Sequence, residues 1–273
     1  MLPTMKIGDL DVTRLVVGTN PFTGKSHLDK ETDSAMKDYF TEEQIFATLR
    51  ACEEAGINAV QSRGSQPSMG IIGRYRASGG RLLYLCQTGK NEITFEEELD
   101  ELMKYNPAAI CIHGELADEL YLTGRIDRLK ALLDSVRRRG LPTGVCAHFP
   151  EVLEYCEEKG WAPDYYMASL YNITQPDRSH DVNPDGERFE DSDIPRMYKT
   201  IRSLSAPVIA LKILGAGRRC ADQQQVKEVF EEAFASMKPG DGVLVGMFDR
   251  DIEQPRLNAE YTLAAIEKAE GKR

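Results

Sequence analysis

Two short apolar runs end in the same way, and both end on a residue that can do chemistry. NPAAICIHGEL (Asn106–Leu116) closes on His113, and PTGVCAHF (Pro142–Phe149) closes on His148. An imidazole titrates near neutral pH, so it can exchange protons or ligate a metal. A third run, PVIALKIL (Pro207–Leu214), is interrupted by Lys212, and Glu115 follows His113 by two residues. A lysine inside an apolar strand costs desolvation energy unless it is paired or used. Together His113, Glu115, His148 and Lys212 are a set for proton transfer. His113, His148 and Glu115 are also candidate ligands for a divalent metal. Each has a plain alternative: a hydrogen-bonded core histidine, or an internal Lys212–Glu115 pair.

Positioning these residues requires strands. A short apolar run bounded by turn residues reads as a strand buried on both faces. Alternation along it puts Ala109, Cys111 and His113 on one face, and Gly144, Cys146 and His148 on the corresponding face of the next strand. The same strand-then-helix unit recurs eight times: strands at 15–18, 57–61, 82–87, 108–113, 143–148, 165–171, 207–214 and 242–247 precede helices near 41–55, 67–77, 95–105, 125–139, 150–159, 193–204, 223–237 and 254–269. Met5–Leu15, turning at Gly8-Asp9, reads as a β-hairpin. Alternating strands and helices imply a parallel sheet. The expected fold is therefore α/β, a single (β/α)8 TIM barrel over residues 1–273 with an N-terminal β-hairpin. A doubly wound sheet is the lesser alternative.

Barrels of this kind carry their sites at the C-terminal ends of the strands. The phase then predicts Asn20, Gln61, Arg63, Thr88, Lys90, His113, Glu115, His148, Asn172 and Lys212 at the mouth. In Lys212's case the phase makes Val208 and Ala210 its inward neighbours. Asn20, Gln61, Arg63, Tyr171 and Asn172 are the candidates for binding substrate. The loops after the last two strands carry Gly215, Gly217 and Arg218, then Asp249 and Arg250; turns of this composition can hold phosphate through backbone N–H groups. Residues 22–40 and 173–192 read as two long polar loops, each following a strand, and are expected to border the mouth as lids. They hold the remaining histidines, His27 and His180.

Composition narrows the partners. The 273 residues carry a net charge of −10, with 41% hydrophobic and 8% aromatic residues. The chain can fill a barrel core and has no basic stretch suited to nucleic acid. Arg137-Arg138-Arg139 ends a predicted helix, where cations favour the dipole. The six cysteines form no CxxC pair and mostly sit in apolar runs, as expected of buried thiols in a reducing compartment. No apolar run reaches the length of a membrane span. The expectation is a cytoplasmic, soluble protein with a small-molecule substrate and no nucleic-acid or membrane partner. Its oligomeric state is left open.

The hairpin, LVVGTN, AGINAVQSRG, LLYLCQTGK, AAICIHGEL, PVIALKILGAGR and VGMFDRDIEQPRLN occur in an order that resembles the aldo-keto reductases over nearly the whole chain. The resemblance implies an NADP-bound barrel with an Asp, Tyr, Lys and His tetrad. On it Lys90 matches the family lysine and His113 the family histidine, while Gln254 and Asn258 fall where the family contacts the adenosine phosphate end of the cofactor. Two positions depart: Gln61 stands for the family Asp, and Gln66 for the family Tyr. Glutamine cannot supply the proton that a developing alkoxide needs. Three readings follow. One, which the resemblance favours, is a reductase of small polar carbonyls or sugars linked to NADP, with Lys90 and His113 as the acid and its tuning partner, a displaced acid such as His113, His148 or Tyr171 standing in for the missing tyrosine. Another is a non-redox isomerase, epimerase or lyase using His113, Glu115, His148 and Lys212, with or without a divalent metal. The third is a binding protein without catalysis.

Overall fold

The computed structural model describes residues 1–89, 93–177 and 187–271. It opens with an antiparallel hairpin, β1 (Thr4–Ile7) and β2 (Leu10–Thr13), turning at Gly8-Asp9. Eight parallel strands then close a barrel: β3 (Leu15–Gly18), β4 (Ala59–Arg63), β5 (Leu83–Gln87), β6 (Ala109–Ile112), β7 (Thr143–Ala147), β8 (Tyr165–Ser169), β9 (Val208–Leu211) and β10 (Gly242–Gly246). β10 pairs with both β9 and β3, which completes the ring. No helix among the described residues is long and apolar enough to cross a membrane.

Two apolar cores follow from strand alternation. Inside the ring lie Val16, Ala59, Leu85, Ala109, Cys111, Cys146, Met167 and Ile209; outside it, Val17, Val60, Ile110, Val145 and Ala168 pack under the helices. Met5, Ile7 and Val12 of the hairpin join the inner core, so the hairpin plugs one end. A Cβ at Gly8 would meet Pro142, which precedes β7, and approach Asp164, which precedes β8. The plugged end is therefore the one where strands begin, and the other is left for a site. Five of the six cysteines are buried, and all six are free thiols.

The helices are α1 (Lys30–Tyr39), α2 (Glu42–Glu54), α3 (Ser68–Ala77), α4 (Phe95–Met103), α5 (Gly114–Leu122), α6 (Arg128–Arg137), α7 (Pro150–Glu158), α8 (Asp193–Ser203), α9 (Gln223–Ser236) and α10 (Gln254–Glu270). Two of them were not expected. The supposed loop at 22–40 contains α1, capped by the Asp29 side chain on the Thr32 N–H. It is held less by its own apolar content than by the ring contact of Phe40, just beyond its end, with Phe22 at 4.9 Å and by that of Tyr39 with Phe248 at 5.5 Å. α5 starts directly at the end of β6, because His113 serves at once as strand end and helix cap.

The phase of β9 is also corrected. Ile209 and Leu211 face the inner core, whereas Val208 and Ala210 face outward. The strand stops at Leu211, and Lys212 takes a left-handed backbone with φ 60°. That turn restores the lysine to the mouth despite the reversed phase. β5 shows a related slip: Leu85 is the inward residue, so Gln87 and not Thr88 reaches the cavity.

Gly144 lies beside Tyr165 across the β7–β8 pair, and a Cβ built there would stand 2.6 Å from the Tyr165 ring. The glycine makes room for a tyrosine that fills the barrel. Gly144→Ala is expected to lower unfolding stability by about 1–3 kcal/mol, as overpacking does, read as a lower denaturant midpoint. An unchanged midpoint would contradict this packing.

Candidate active site

The open end of the barrel holds a cavity of about 1390 Å3. Its floor and walls are the strand ends. His113, from β6, is extended (φ −64°, ψ 141°) and caps α5, its Nδ1 accepting the Glu115 N–H at 3.2 Å. Its own N–H donates to Thr88 Oγ1 at 3.0 Å. A nitrogen that accepts a bond carries no proton, so the cap assigns the proton to Nε2. Burial pushes the imidazole down to about 3; Glu115 opposes this, and the positive charge of Arg63 and Lys212 assists it. His113 is thus a neutral ring at neutral pH, a hydrogen-bond donor without charge. Its 4.0 Å approach to Glu115 is not an ion pair on that account; the carboxylate's cationic partner is Arg63, at 3.6 Å.

His148, one strand further, is held differently. Its Nδ1 lies 2.8 Å from Oδ2 of Asp118, a carboxylate only 1% exposed on α5. The same carboxylate accepts the His148 N–H at 3.2 Å, the Phe149 N–H at 3.3 Å and the Thr174 hydroxyl at 2.9 Å. An ionised acceptor on Nδ1 places the proton there and leaves Nε2 as the basic nitrogen of a residue that lines the cavity. Gly114 permits the arrangement, since a Cβ there would stand 3.0 Å from His148 Cε1.

Lys212 completes the group. A non-glycine residue in the left-handed region costs roughly 1–2 kcal/mol, and such strain persists where surrounding structure enforces it. Here the Gly215 N–H bonds back to the Lys212 carbonyl at 2.8 Å. Burial lowers the ammonium's affinity for its proton, against the opposing pull of Cys146, Glu187, Glu115 and Asp118. Those three carboxylates are committed to other partners: Glu187 to His27, Glu115 to Arg63 and Asp118 to His148. Across the mouth the amides of Gln61 and Gln87 bond each other at 2.9 Å.

The rim joins the two long segments. His27 Nδ1 lies 2.6 Å from Glu187, and its Nε2 lies 3.1 Å from the Asn20 amide. Burial would raise the Glu187 carboxyl, but the His27 bond and the positive charge around it hold it below the usual range. Described residues of both segments border the cavity, among them Phe22, Lys37, Ile173 and Glu187.

Of the residues read from sequence, Asn20, Gln61, Arg63, His113, Glu115, His148, Lys212, Gly217, Gln254 and Asn258 line this cavity. Six expectations are corrected. Tyr171 is buried against Phe189 with its hydroxyl on Asp191, because the chain bends after β8. Asn172 faces a separate cavity of about 330 Å3, whose wall it shares with His148. Gly215 is turned into its own loop. Arg218 donates to the His27 carbonyl and covers the Phe189 ring at 4.0 Å. Asp249 accepts from Thr48, at 3.0 Å, on the outer side. Arg250 is spent on Asp251. Lys90 lies outside the described residues, as does His180.

These corrections bear on the implied cofactor. A phosphate at the loop after β9 needs free amides or cations. The N–H groups of Gly215, Gly217, Arg218 and Arg219 all bond carbonyls within that loop, and the Phe248 N–H is taken by Gln254 Oε1 at 2.8 Å. With Arg218 turned to His27 and Phe189, the loop after β9 offers few of the donors that the resemblance implies for an NADP phosphate, although Gln254 and Asn258 line the cavity. Nor do the described residues bring together three His, Cys, Asp or Glu placed to hold a metal ion.

Asp118 was missed because α5 was missed. Its signal was present: Gly114, Ala117, Asp118 and Tyr121 share one helical face, and an acid among small residues on a buried face asks for a partner. Gln87 was hidden by the one-residue slip in β5.

No protein-family model and no curated protein matches the sequence. Solved structures do. The holo form of aldo-keto reductase AKR11C1 from Bacillus halodurans aligns with a TM-score of 0.60 at 10% identity, covering 98% of this chain and 96% of that one. Gox0644 in its apo form aligns at 0.59 and 12% identity, over 98% and 93%. A truncated 3-deoxy-D-arabino-heptulosonate 7-phosphate synthase from Thermotoga maritima aligns at 0.54 and 11% identity, over 99% and 92%. The chain thus has the TIM-barrel fold found in aldo-keto reductases and in an enzyme of different chemistry.

His113's neutrality makes a pH prediction. Its folded value, about 3, lies below the ordinary 6.5, so the unfolded chain binds more protons between them. The contribution to stability is fully present above pH 6.5 and is lost as pH falls toward 3. His113→Asn, which keeps a capping side chain, is expected to flatten the fall in denaturant midpoint over that range. Equal slopes in both proteins would refute the buried neutral ring.

Proposed function

We propose that the protein is a non-redox enzyme that moves protons on a small hydroxylated carbonyl compound, as a sugar isomerase, epimerase or lyase does. The observation that carries this reading is the Asp118–His148 pair opening on the cavity. A base held by hydrogen bond to a buried carboxylate is fixed in orientation and tautomer before substrate arrives. His113 Nε2–H supplies an uncharged donor for the carbonyl oxygen, comparable to a neutral imidazole used as an electrophile. Gln61, Gln87 and Asn20 offer amides to hydroxyl groups, and Arg63 and Lys212 offer positive charge to a developing oxyanion. The reductase reading draws support from the fold alone, since Gln61 and Gln66 replace its acid positions and the phosphate donors are engaged.

The chemistry asked of each residue is modest. His148 Nε2 takes a proton from carbon beside the carbonyl while Asp118 stabilises the imidazolium that results. His113 holds the enolate oxygen by a hydrogen bond without giving up its proton. For epimerisation or exchange His148 returns the proton to the same carbon and the carbonyl re-forms. For isomerisation it returns the proton to the former carbonyl carbon, while the proton of the neighbouring hydroxyl passes to the enolate oxygen and that hydroxyl carbon becomes the new carbonyl.

The test is solvent-deuterium exchange at the C–H positions of dihydroxyacetone and glyceraldehyde, followed by proton NMR. The purified protein is expected to catalyse exchange, and His148→Gln to slow it by about 10²–10⁴-fold, the usual worth of a general base. Asp118→Asn should slow it too, with the fold checked by circular dichroism. Exchange that ignores His148, or carbonyl consumption that requires NADPH, would overturn the proposal.

A further inference from the structure

We propose that Lys212 is a nucleophile that forms a covalent imine with a carbonyl substrate in the barrel mouth. This rests on the proton-transfer reading and adds a covalent step to it. Three independent features meet at the residue. It lies at the end of β9, facing the same cavity as His113 and His148. Its backbone is held at φ 60°, a conformation glycine would adopt without strain, so a lysine there is retained for its side chain. The third feature is the lack of an ion-pair partner: among the described residues, the carboxylates whose charge reaches Lys212 are each bonded to another group, Glu187 to His27, Glu115 to Arg63 and Asp118 to His148. Among the described residues no carboxylate approaches its Nζ within the 4.0 Å of an ion pair. A lysine serving as a structural cation would have claimed one of these. An amine that must be free of its proton to attack is better served by this isolation, and burial shifts its proton affinity in the required direction.

The step balances with groups in the cavity. Nζ, as the free amine, adds to the carbonyl carbon; the new C–N bond forms as the C=O π pair moves to oxygen. His148 Nε2 relays the proton from nitrogen to that oxygen, giving a neutral carbinolamine. One further proton from solvent lets the oxygen leave as water while the nitrogen lone pair completes C=N. Amine, carbonyl and one proton thus give an iminium and one water. His148, neutral again, removes the proton from the adjacent carbon. That C–H pair becomes a C=C bond and the C=N pair returns to nitrogen as an enamine. The iminium nitrogen is the electron sink, which no metal is then needed to supply. The chemical class of substrate is a small aldehyde or ketone bearing hydroxyl groups.

The experiment is reductive trapping. The full chain is incubated with dihydroxyacetone, glyceraldehyde or pyruvate and sodium borohydride, then weighed intact and mapped as peptides. The expected result is a gain of one carbonyl molecule less one oxygen atom, located on Lys212, from at least one probe. Lys212→Arg, which keeps the charge, and Lys212→Met should each lower the adduct at least tenfold, with circular dichroism confirming that each is folded. Trapping should also persist at pH values below those at which exposed lysines react. Absence of adduct at Lys212 with all three probes overturns the imine, as does an adduct spread over surface lysines alone. If His148-dependent deuterium exchange survives in Lys212→Met, the imine fails while the proton-transfer reading stands; if His148-dependent exchange is absent from the unmodified protein, that reading fails first.

Discussion

The carboxylate of Asp118 is the constraint on which the mouth of this barrel depends. It is 1% exposed, and a buried charge persists only when its lone pairs are fully engaged. Its acceptor bonds come from the backbone at the end of β7, from the His148 ring and from Thr174 in the segment after β8. One side chain on α5 thereby fixes the relation of three successive strand–loop units. The imidazole is locked as part of the same settlement, so the rigidity of the scaffold and the orientation of the His148 ring have one cause. An acid exposed to solvent would bind His148 weakly and leave its ring free to turn.

The two histidines show how local surroundings separate residues of the same type. Both close a strand that ends in Cys-x-His, and both face one cavity. His113 meets a helix N-terminus, whose amide it caps and whose positive end opposes a second proton. His148 meets a carboxylate instead, which holds its Nδ1 at 2.8 Å. The first ring therefore presents an uncharged Nε2–H, and the second is fixed in orientation by its Nδ1 on the carboxylate. Two environments one strand apart thus give the proposed donor and the proposed base different surroundings, as a division of acid and base work requires.

The barrel was legible in the sequence because burial on both faces of a parallel strand leaves a run of apolar residues that solvent-facing strands lack. The cavity was legible in part, since Gln61, Arg63, His113, His148 and Lys212 close such runs. What escaped depended on where strands stop. Lys212 was placed correctly on a mistaken phase, because a left-handed turn at that residue undid the error. Tyr171 and Asn172 were lost by the converse event: β8 ends at Ser169 and the chain bends before reaching them. The cofactor loop misled for another reason. Its glycines are spent on closing a turn whose N–H groups bond inward, and composition cannot distinguish such a turn from one that presents its amides to a phosphate. Asp118 lay on a helix whose start was concealed by a histidine with two duties.

The likeness to aldo-keto reductases and the departure from their tetrad have a common physical basis. A closed barrel fixes eight strand ends around one cavity but does not dictate which of them carry charge. At the two positions where the resemblance calls for ionisable groups, this chain has amides that are satisfied locally: Gln61 on Gln87, and Gln66 on the Tyr105 hydroxyl at 2.8 Å. An amide pair tolerates burial without a counter-ion, so this side of the mouth can recognise hydroxyl groups but cannot exchange protons. Apart from Arg63 on β4, the ionisable groups of the mouth gather around β6, β7 and the turn after β9: Asp118 anchors His148, the start of α5 anchors His113, Glu187 anchors His27 at the rim, and Lys212 has no ion-pair partner among the described residues. The charged groups of the mouth sit above an apolar interior that runs from Val16 to Ile209 as a packed core. The hairpin that plugs the barrel lies at the opposite end, so the polar groups of the mouth do not interrupt that packing.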